Sequence, residues 1–242
     1  MNIPWTGLAL GMVAAAATLA GGWAVVSHPW HPLILRYFIA LSSGFMLAAS
    51  LVEMLPESYR LLGSQSTVWI LGGYLLIHLC EHTVAGHFHF GEEVHVEEVA
   101  GARRSRTVVF GLTIHAFVDG VSIASGFLIS EWLGWVVFLA VFLHKMPEGF
   151  AVSSMMRASG HTPAASLGAS GLLGLATILG VLFMSPMRGY VAYTLPLSAG
   201  VTLYVSASDL IPMVNQEPGI RMAVVVFGGV SFLLALKWLF EV

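Results

Sequence analysis

Residues 106–156 read RTVVFGLTIHAFVDGVSIASGFLISEWLGWVVFLAVFLHKMPEGFAVSSMM, and this stretch decides the fold. It holds two apolar runs, 106–129 and 131–156, joined by a tight turn around Ser130-Glu131. Each run is long enough to cross the roughly 30 Å of bilayer hydrocarbon, which takes about 20 helical residues. Both runs carry one pattern: His115-Ala116-Phe117-Val118-Asp119-Gly120, then His144-Lys145-Met146-Pro147-Glu148-Gly149. A His and a carboxylate four positions apart stand one above the other on a single helix face. Two such faces turned together offer two imidazoles and two carboxylates, a divalent-metal site. Charged groups at mid-bilayer cost roughly 2.5–3.5 kcal/mol each. Asp119, Lys145 and Glu148 therefore need compensation, and a bound cation is the obvious candidate.

Outward from this stretch the chain keeps the same character. It is 57% hydrophobic and 10% charged, with a mean hydropathy of +0.84, where a water-soluble chain carries about 25% charged residues. A net charge of −3 implies no nucleic-acid partner. Cys80 is the single cysteine, which allows no internal disulfide. The first apolar run lacks a basic leader and reads as a spanning helix rather than a cleaved signal. Eight runs of spanning length are expected, at 3–26, 33–55, 66–88, 106–129, 131–156, 162–184, 189–213 and 220–241. The class is all-α, a polytopic membrane protein with one transmembrane domain over 1–242 and a single sizeable loop at 88–105. If that loop is cytoplasmic, inside ends hold Arg36, Arg103, Arg104, Arg106, Arg157 and Arg221, against Arg60, Arg188 and Lys237 outside. The positive-inside rule then puts both termini outside. Eight Arg to two Lys points to a GC-rich genome and a bacterial inner membrane.

Two imidazoles with two carboxylates suit Zn²⁺, and also Fe²⁺, Mn²⁺, Co²⁺ or Cd²⁺. Pro147 lacks an N–H, so the carbonyl of Leu143 loses its helical partner and a kink is expected there. Gly120 and Gly149 permit close helix approach.

HAFVDG followed by HKMPEG resembles the fourth and fifth helices of the ZIP (Zrt/Irt-like) metal transporters, in their HNxxDG/EG and HxxPEG forms. The resemblance covers essentially the whole chain. It implies import of divalent metal toward the cytoplasm, a 3+2+3 helix arrangement with inverted repeats, and a homodimer. It also exposes departures. Where members with a two-metal centre carry Asn, Asp and Glu, this chain carries Ala116, Lys145 and, by the match of GLATILG to the sixth helix, Thr177. All three changes remove a ligand for a second ion, and Lys145 adds an ammonium that repels one. A single-metal site at His115, Asp119, His144 and Glu148 is expected.

Further candidates lie outside the twin motif. Met46 matches a thioether near the family's primary site, where soft sulfur suits Zn²⁺ or Cd²⁺, though with eleven Met in an apolar chain core filler is the stronger reading. Glu53 and Glu57 can line an outer funnel or be interfacial. Ser208 and Asp209 lie toward the cytoplasmic end of the seventh span, and Asp209 resembles the family's acidic exit-path residue. Ser122, seven residues after His115, can bond a ligand or its own backbone. His82, His87, His89 and His95 sit in or beside the loop, which can collect metal or simply be solvated.

His78-Leu79-Cys80-Glu81-His82 also spells the HxxEH of some zinc peptidases, and an intramembrane zinc-dependent hydrolase is the alternative. A structural or sensory zinc site is a third reading. The expected route runs past Glu53 and Glu57, through the twin motif, and out past Asp209 to the His-rich loop.

Overall fold

The computed structural model describes residues 5–27, 32–80, 102–216 and 219–240. The described residues form helices without a strand: α1 (Trp5–Ser27), α2 (Pro32–Ala48), α3 (Leu55–Leu62), α4 (Ser66–Cys80), α5 (Ala102–Ile129), α6 (Glu131–Ala158), α7 (Pro163–Met187), α8 (Val191–Tyr204), α9 (Ile211–Asn215) and α10 (Arg221–Leu239). Among the described residues, six helical stretches are long and apolar enough to cross a membrane. Two of them, Arg36–Cys80 and Pro163–Asn215, run to 45 and 53 residues. At about 1.5 Å per residue either would be more than twice the bilayer thickness if straight. Neither is straight in the sequence sense: 3₁₀ turns interrupt them at Gly63–Gln65 and Arg188–Tyr190. Gly63 adopts φ +56°, which a residue with a Cβ rarely tolerates.

The second apolar run was expected to end before Pro56. Instead the helix continues through Pro56 to Leu62. A π-helical turn over Ala49–Met54 explains the continuity: Leu55 N–H reaches back five residues to the carbonyl of Ser50, so the ladder has already shifted where Pro56 lacks its donor. The seventh run repeats the device, with a π turn over Val205–Leu210, Ile211 N–H bonded to the Ser206 carbonyl, and Pro212 next. α6 likewise runs unbroken through Pro147.

These matching turns reveal a repeat that pattern reading along the chain had missed. Residues 41–56, LSSGFMLAASLVEMLP, align with 197–212, LSAGVTLYVSASDLIP, at a shift of 156 residues. The packing repeats too. A Cβ on Gly44 would overlap the carbonyl of Val226, and one on Gly200 would overlap that of Ile70. Gly73 likewise abuts Leu197, and Gly229 abuts Leu41. Each contact becomes its counterpart when one partner moves 156 positions forward and the other 156 back, so α2 packs on α10 as α8 packs on α4.

The twin-motif helices obey a related rule. Gly120 of α5 presses on Thr177 of α7, as Gly149 of α6 presses on Thr18 of α1. Gly180 meets Phe117 as Gly21 meets Met146. The motif glycines therefore bring α5 and α6 against the flanking helices α7 and α1, and not chiefly against each other. Backbone-to-backbone approach of this kind is how apolar helices associate where no hydrophobic force operates.

Outward-facing side chains are apolar, as lipid contact demands: Val68, Trp69, Leu71 and Leu75 on α4, and Val224, Phe227, Leu234 and Trp238 on α10 are all exposed. The chain is a multi-pass membrane protein.

A methyl at Gly120 or Gly149 must push two backbones apart, at about 1–3 kcal/mol. Gly120→Ala and Gly149→Ala should each lower the apparent melting temperature of the detergent-solubilised protein. Gly228→Ala, with nothing within 4 Å of its added Cβ, should leave it unchanged.

Candidate metal centre

α5 and α6 bring the twin motifs face to face inside the bundle. His115, Asp119 and His144 are all buried. The Nε2 atoms of His115 and His144 each lie 3.3 Å from Asp119 Oδ2. The two rings are 5.6 Å apart between centroids. One ligand atom from each residue falls within 4.8 Å of the others. A tetrahedral zinc shell places its ligand atoms about 3.4 Å apart, so both His–Asp separations already match.

The ring of His144 is held from behind by its own helix. Its Nδ1 lies 2.9 Å from the carbonyl of Ala140, one turn earlier on α6. A carbonyl can only accept, so Nδ1 carries the proton. Nε2 is then the nitrogen turned to the carboxylate, 3.3 Å from Asp119 Oδ2, a separation that a shared proton or a bound metal ion can bridge. A ring N–H donated to a backbone carbonyl is the usual support for a metal-ligating imidazole. His115 Nδ1 has no hydrogen-bond partner among the described residues.

Glu148 stands apart from this triad. Lys145 Nζ, wholly buried, lies 2.5 Å from Glu148 Oε2 and 2.7 Å from Asp119 Oδ2. The expected fourth ligand is thus held by an ammonium, while its other oxygen, Oε1, is buried without a partner among the described residues. The three positions that differ from a two-metal centre are all buried: Ala116, Lys145, and Thr177, whose hydroxyl donates to the Leu173 carbonyl of its own helix. Met46 is buried and belongs to the same apolar cluster as Ala116 and Ala140.

Glu53 does not stand open in a funnel. Lys237 Nζ lies 2.8 Å from Oε1, and Trp132 Nε1 donates to Oε2 at 3.1 Å. The carboxylate ties the π turn after α2 to the last turn of α10 and the first turn of α6. Glu57 pairs with Arg60 at 2.7 Å near the surface. Ser122 donates to the Val118 carbonyl of its own helix at 2.8 Å. Ser208 meets the Tyr74 hydroxyl at 2.8 Å, and Asp209 is buried in the second π turn. His82, His87, His89 and His95 lie outside the described residues, as does most of the 88–105 loop.

Sequence reading missed Ala140, Trp132 and Lys237. Ala140 had a signal, since it precedes His144 by one helical turn. Trp132 and Lys237 reach Glu53 only through the tertiary fold.

Removing a direct ligand should cost more than the 10–100-fold typical of supporting residues. His115→Ala and His144→Ala should each weaken Zn²⁺ binding by at least about 100-fold in competition titrations against a chromophoric chelator. Ser122→Ala, whose hydroxyl serves only its own helix, should bind like the unmodified protein.

Comparison with known proteins agrees with this geometry. The profile of the family described as ZIP Zinc transporter matches residues 91–237, more than half of the chain. Zinc transporter ZIP13 of Pongo abelii is 24% identical over 208 residues, covering 78% of this chain and 60% of that protein. Zinc transporter ZIP9-B of Xenopus laevis is 26% identical over 156 residues, 59% of this chain and 50% of its own. A protein of Methanocaldococcus jannaschii, described as uncharacterized, is 27% identical over 133 residues, 53% and 54% of the two chains. The chain thus spans about half the length of these curated relatives. With its paired His-carboxylate helices and a family match across both of them, this chain belongs to the ZIP zinc transporter family.

Proposed function

We propose that the chain carries a divalent transition metal, Zn²⁺ foremost, across the membrane into the cytoplasm through one ion site between α5 and α6. The observation that carries the reading is the buried triad of His115, Asp119 and His144, with both imidazole Nε2 atoms 3.3 Å from one Asp119 oxygen. Borderline nitrogen and oxygen donors favour Zn²⁺ and also admit Cd²⁺, Fe²⁺, Mn²⁺ and Co²⁺. Three protein ligands rather than a closed cage fit a site that must release its ion. Glu148 joins as a fourth ligand only if Lys145 lets go of it.

The proposal extends to topology. The two long helical stretches cross the bilayer twice each, reversing at Gly63–Gln65 and Arg188–Tyr190, which gives eight spans. The repeat at a shift of 156 residues supports a 3+2+3 arrangement of inverted halves. Residues assigned to one membrane side also meet: Glu53 touches Trp132 and Lys237 at the outer end, and Ser105 meets His161 at the inner end. Both termini are then extracytoplasmic, and a bacterial inner membrane and a homodimer are the expected setting. Ions enter past Glu57 and leave past Ser208 and Asp209 toward the His-rich loop, with Met46 beside the path. Lys145 takes the place of a second metal, and Ala116 and Thr177 supply no ligand for one.

A hydrolase would need an acid poised to deprotonate a metal-bound water. Among the described residues the neighbouring acid, Glu148, is held by Lys145.

Purified protein in proteoliposomes should take up Zn²⁺ down its gradient. Uptake should decline as the medium is acidified from neutrality toward pH ~5, because protonated imidazole and carboxylate no longer bind metal. A rate flat across that range would exclude these ligands from the limiting step. Metal analysis should find one bound ion per chain, and still one in Lys145→Asp, since Ala116 and Thr177 offer a second ion nothing.

A further inference from the structure

Lys145 does more in this geometry than deny a place to a second ion. Its ammonium and the metal triad share one atom, Asp119 Oδ2, which lies 2.7 Å from Lys145 Nζ and 3.3 Å from each imidazole Nε2. Cargo and ammonium must therefore compete for the same lone pairs. The displaced ammonium has somewhere to go. Glu148, already 2.5 Å away through Oε2, keeps its second oxygen buried and without a partner among the described residues.

We propose that Lys145 is a tethered counter-cation that allows the carrier to return without cargo; the proposal rests on the transport reading above. The argument is one of charge. With both imidazoles neutral, Asp119, Glu148 and Lys145 carry one net negative charge before a divalent ion binds, and one net positive charge afterwards. Without the ammonium the same site carries two negative charges when empty and none when loaded. The self-energy of a buried charge grows with its square. With Lys145, the loaded and empty forms bear equal self-energy as they move through the low-dielectric interior. Without it, the loaded form bears none and the empty form bears roughly four times the native amount. Such a carrier swaps ion for ion but is held back from the empty return that net uptake requires. Lys145 is a positioning residue here, since it acts on the cargo through Asp119.

The test compares two fluxes in the same proteoliposomes: net uptake of radioactive Zn²⁺ into metal-free vesicles, and exchange of radioactive Zn²⁺ against unlabelled Zn²⁺ inside. The unmodified protein should show net uptake and exchange within a few-fold of each other. In Lys145→Met the ratio of exchange to net uptake should rise by at least roughly tenfold, the kinetic equivalent of about 1.4 kcal/mol. Lys145→Arg, which keeps the charge, should restore a ratio near that of the unmodified protein. Equal slowing of both fluxes in Lys145→Met would overturn the proposal, because a merely structural role moves them together. If Lys145→Met does not yield folded protein, the unmodified ratio decides: exchange more than about tenfold faster than net uptake sinks the idea. Absence of both fluxes in the unmodified protein would instead overturn the transport reading itself.

Discussion

A carboxylate inside hydrocarbon must be matched by positive charge or by donors, and in this protein that requirement centres on Asp119. The residue sits in mid-helix, buried, and its Oδ2 atom is approached by an ammonium and two imidazoles. Much of the surrounding arrangement follows from keeping that group dry and compensated. Gly120 and Gly149, each immediately after an acid, seat the outer helices against the backbones of α5 and α6. The serines nearby are spent on carbonyls and on each other, as Ser153 and Ser170 show. What polarity remains uncommitted among the described residues of the core includes the ring of His115, within the triad, and Oε1 of Glu148, whose other oxygen is held by Lys145.

Symmetry in the scaffold is paired with asymmetry in the chemistry. Thr18 and Thr177 occupy matching places, receive matching glycines, and turn their hydroxyls onto their own helices alike. Glu53 and Asp209 fall at the same position of matching π turns. Yet one acid is tied between Trp132 and Lys237, while the other is buried next in sequence to Ser208, whose hydroxyl meets that of Tyr74. A duplicated frame can therefore carry different polar contacts at its two ends without changing its backbone.

The all-α membrane class, the two spans that bear the motif and the placing of His115 beside Asp119 are legible in the sequence because each depends on local spacing. Hydropathy over about 20 residues marks a crossing, and a separation of four places His115 beside Asp119 whatever the rest of the chain does. Glu148 stands at the same spacing from His144, but Lys145 lies three residues before it, also within one turn's reach, and spacing alone does not say which of the two the carboxylate pairs with. The end of the second span was placed at Pro56 because a proline usually stops a helix, and the π turn that absorbs the missing donor has no compositional signature. Glu53 looked like a solvent-facing acid for a similar reason: its partners lie 79 and 184 positions away. The repeat was in principle readable, since six letters of sixteen coincide between 41–56 and 197–212. It was hidden by the stronger twin motif between its copies.

The reciprocal glycine contacts also bear on how the molecule comes into being. Leu41 and Gly44 find their partners at Gly229 and Val226, and Gly73 finds its partner at Leu197. At ribosomal speeds of about 5–20 residues per second, the early helices wait on the order of 10–30 s in the bilayer before those surfaces exist. During that interval the small-residue faces of α2 and α4 are covered by lipid or by whatever escorts the nascent chain. Assembly is thus governed by the last helices to leave the ribosome. A stall or cleavage before Arg221 would strand the first half of the protein with its closest-packing surface exposed, marking it for quality control.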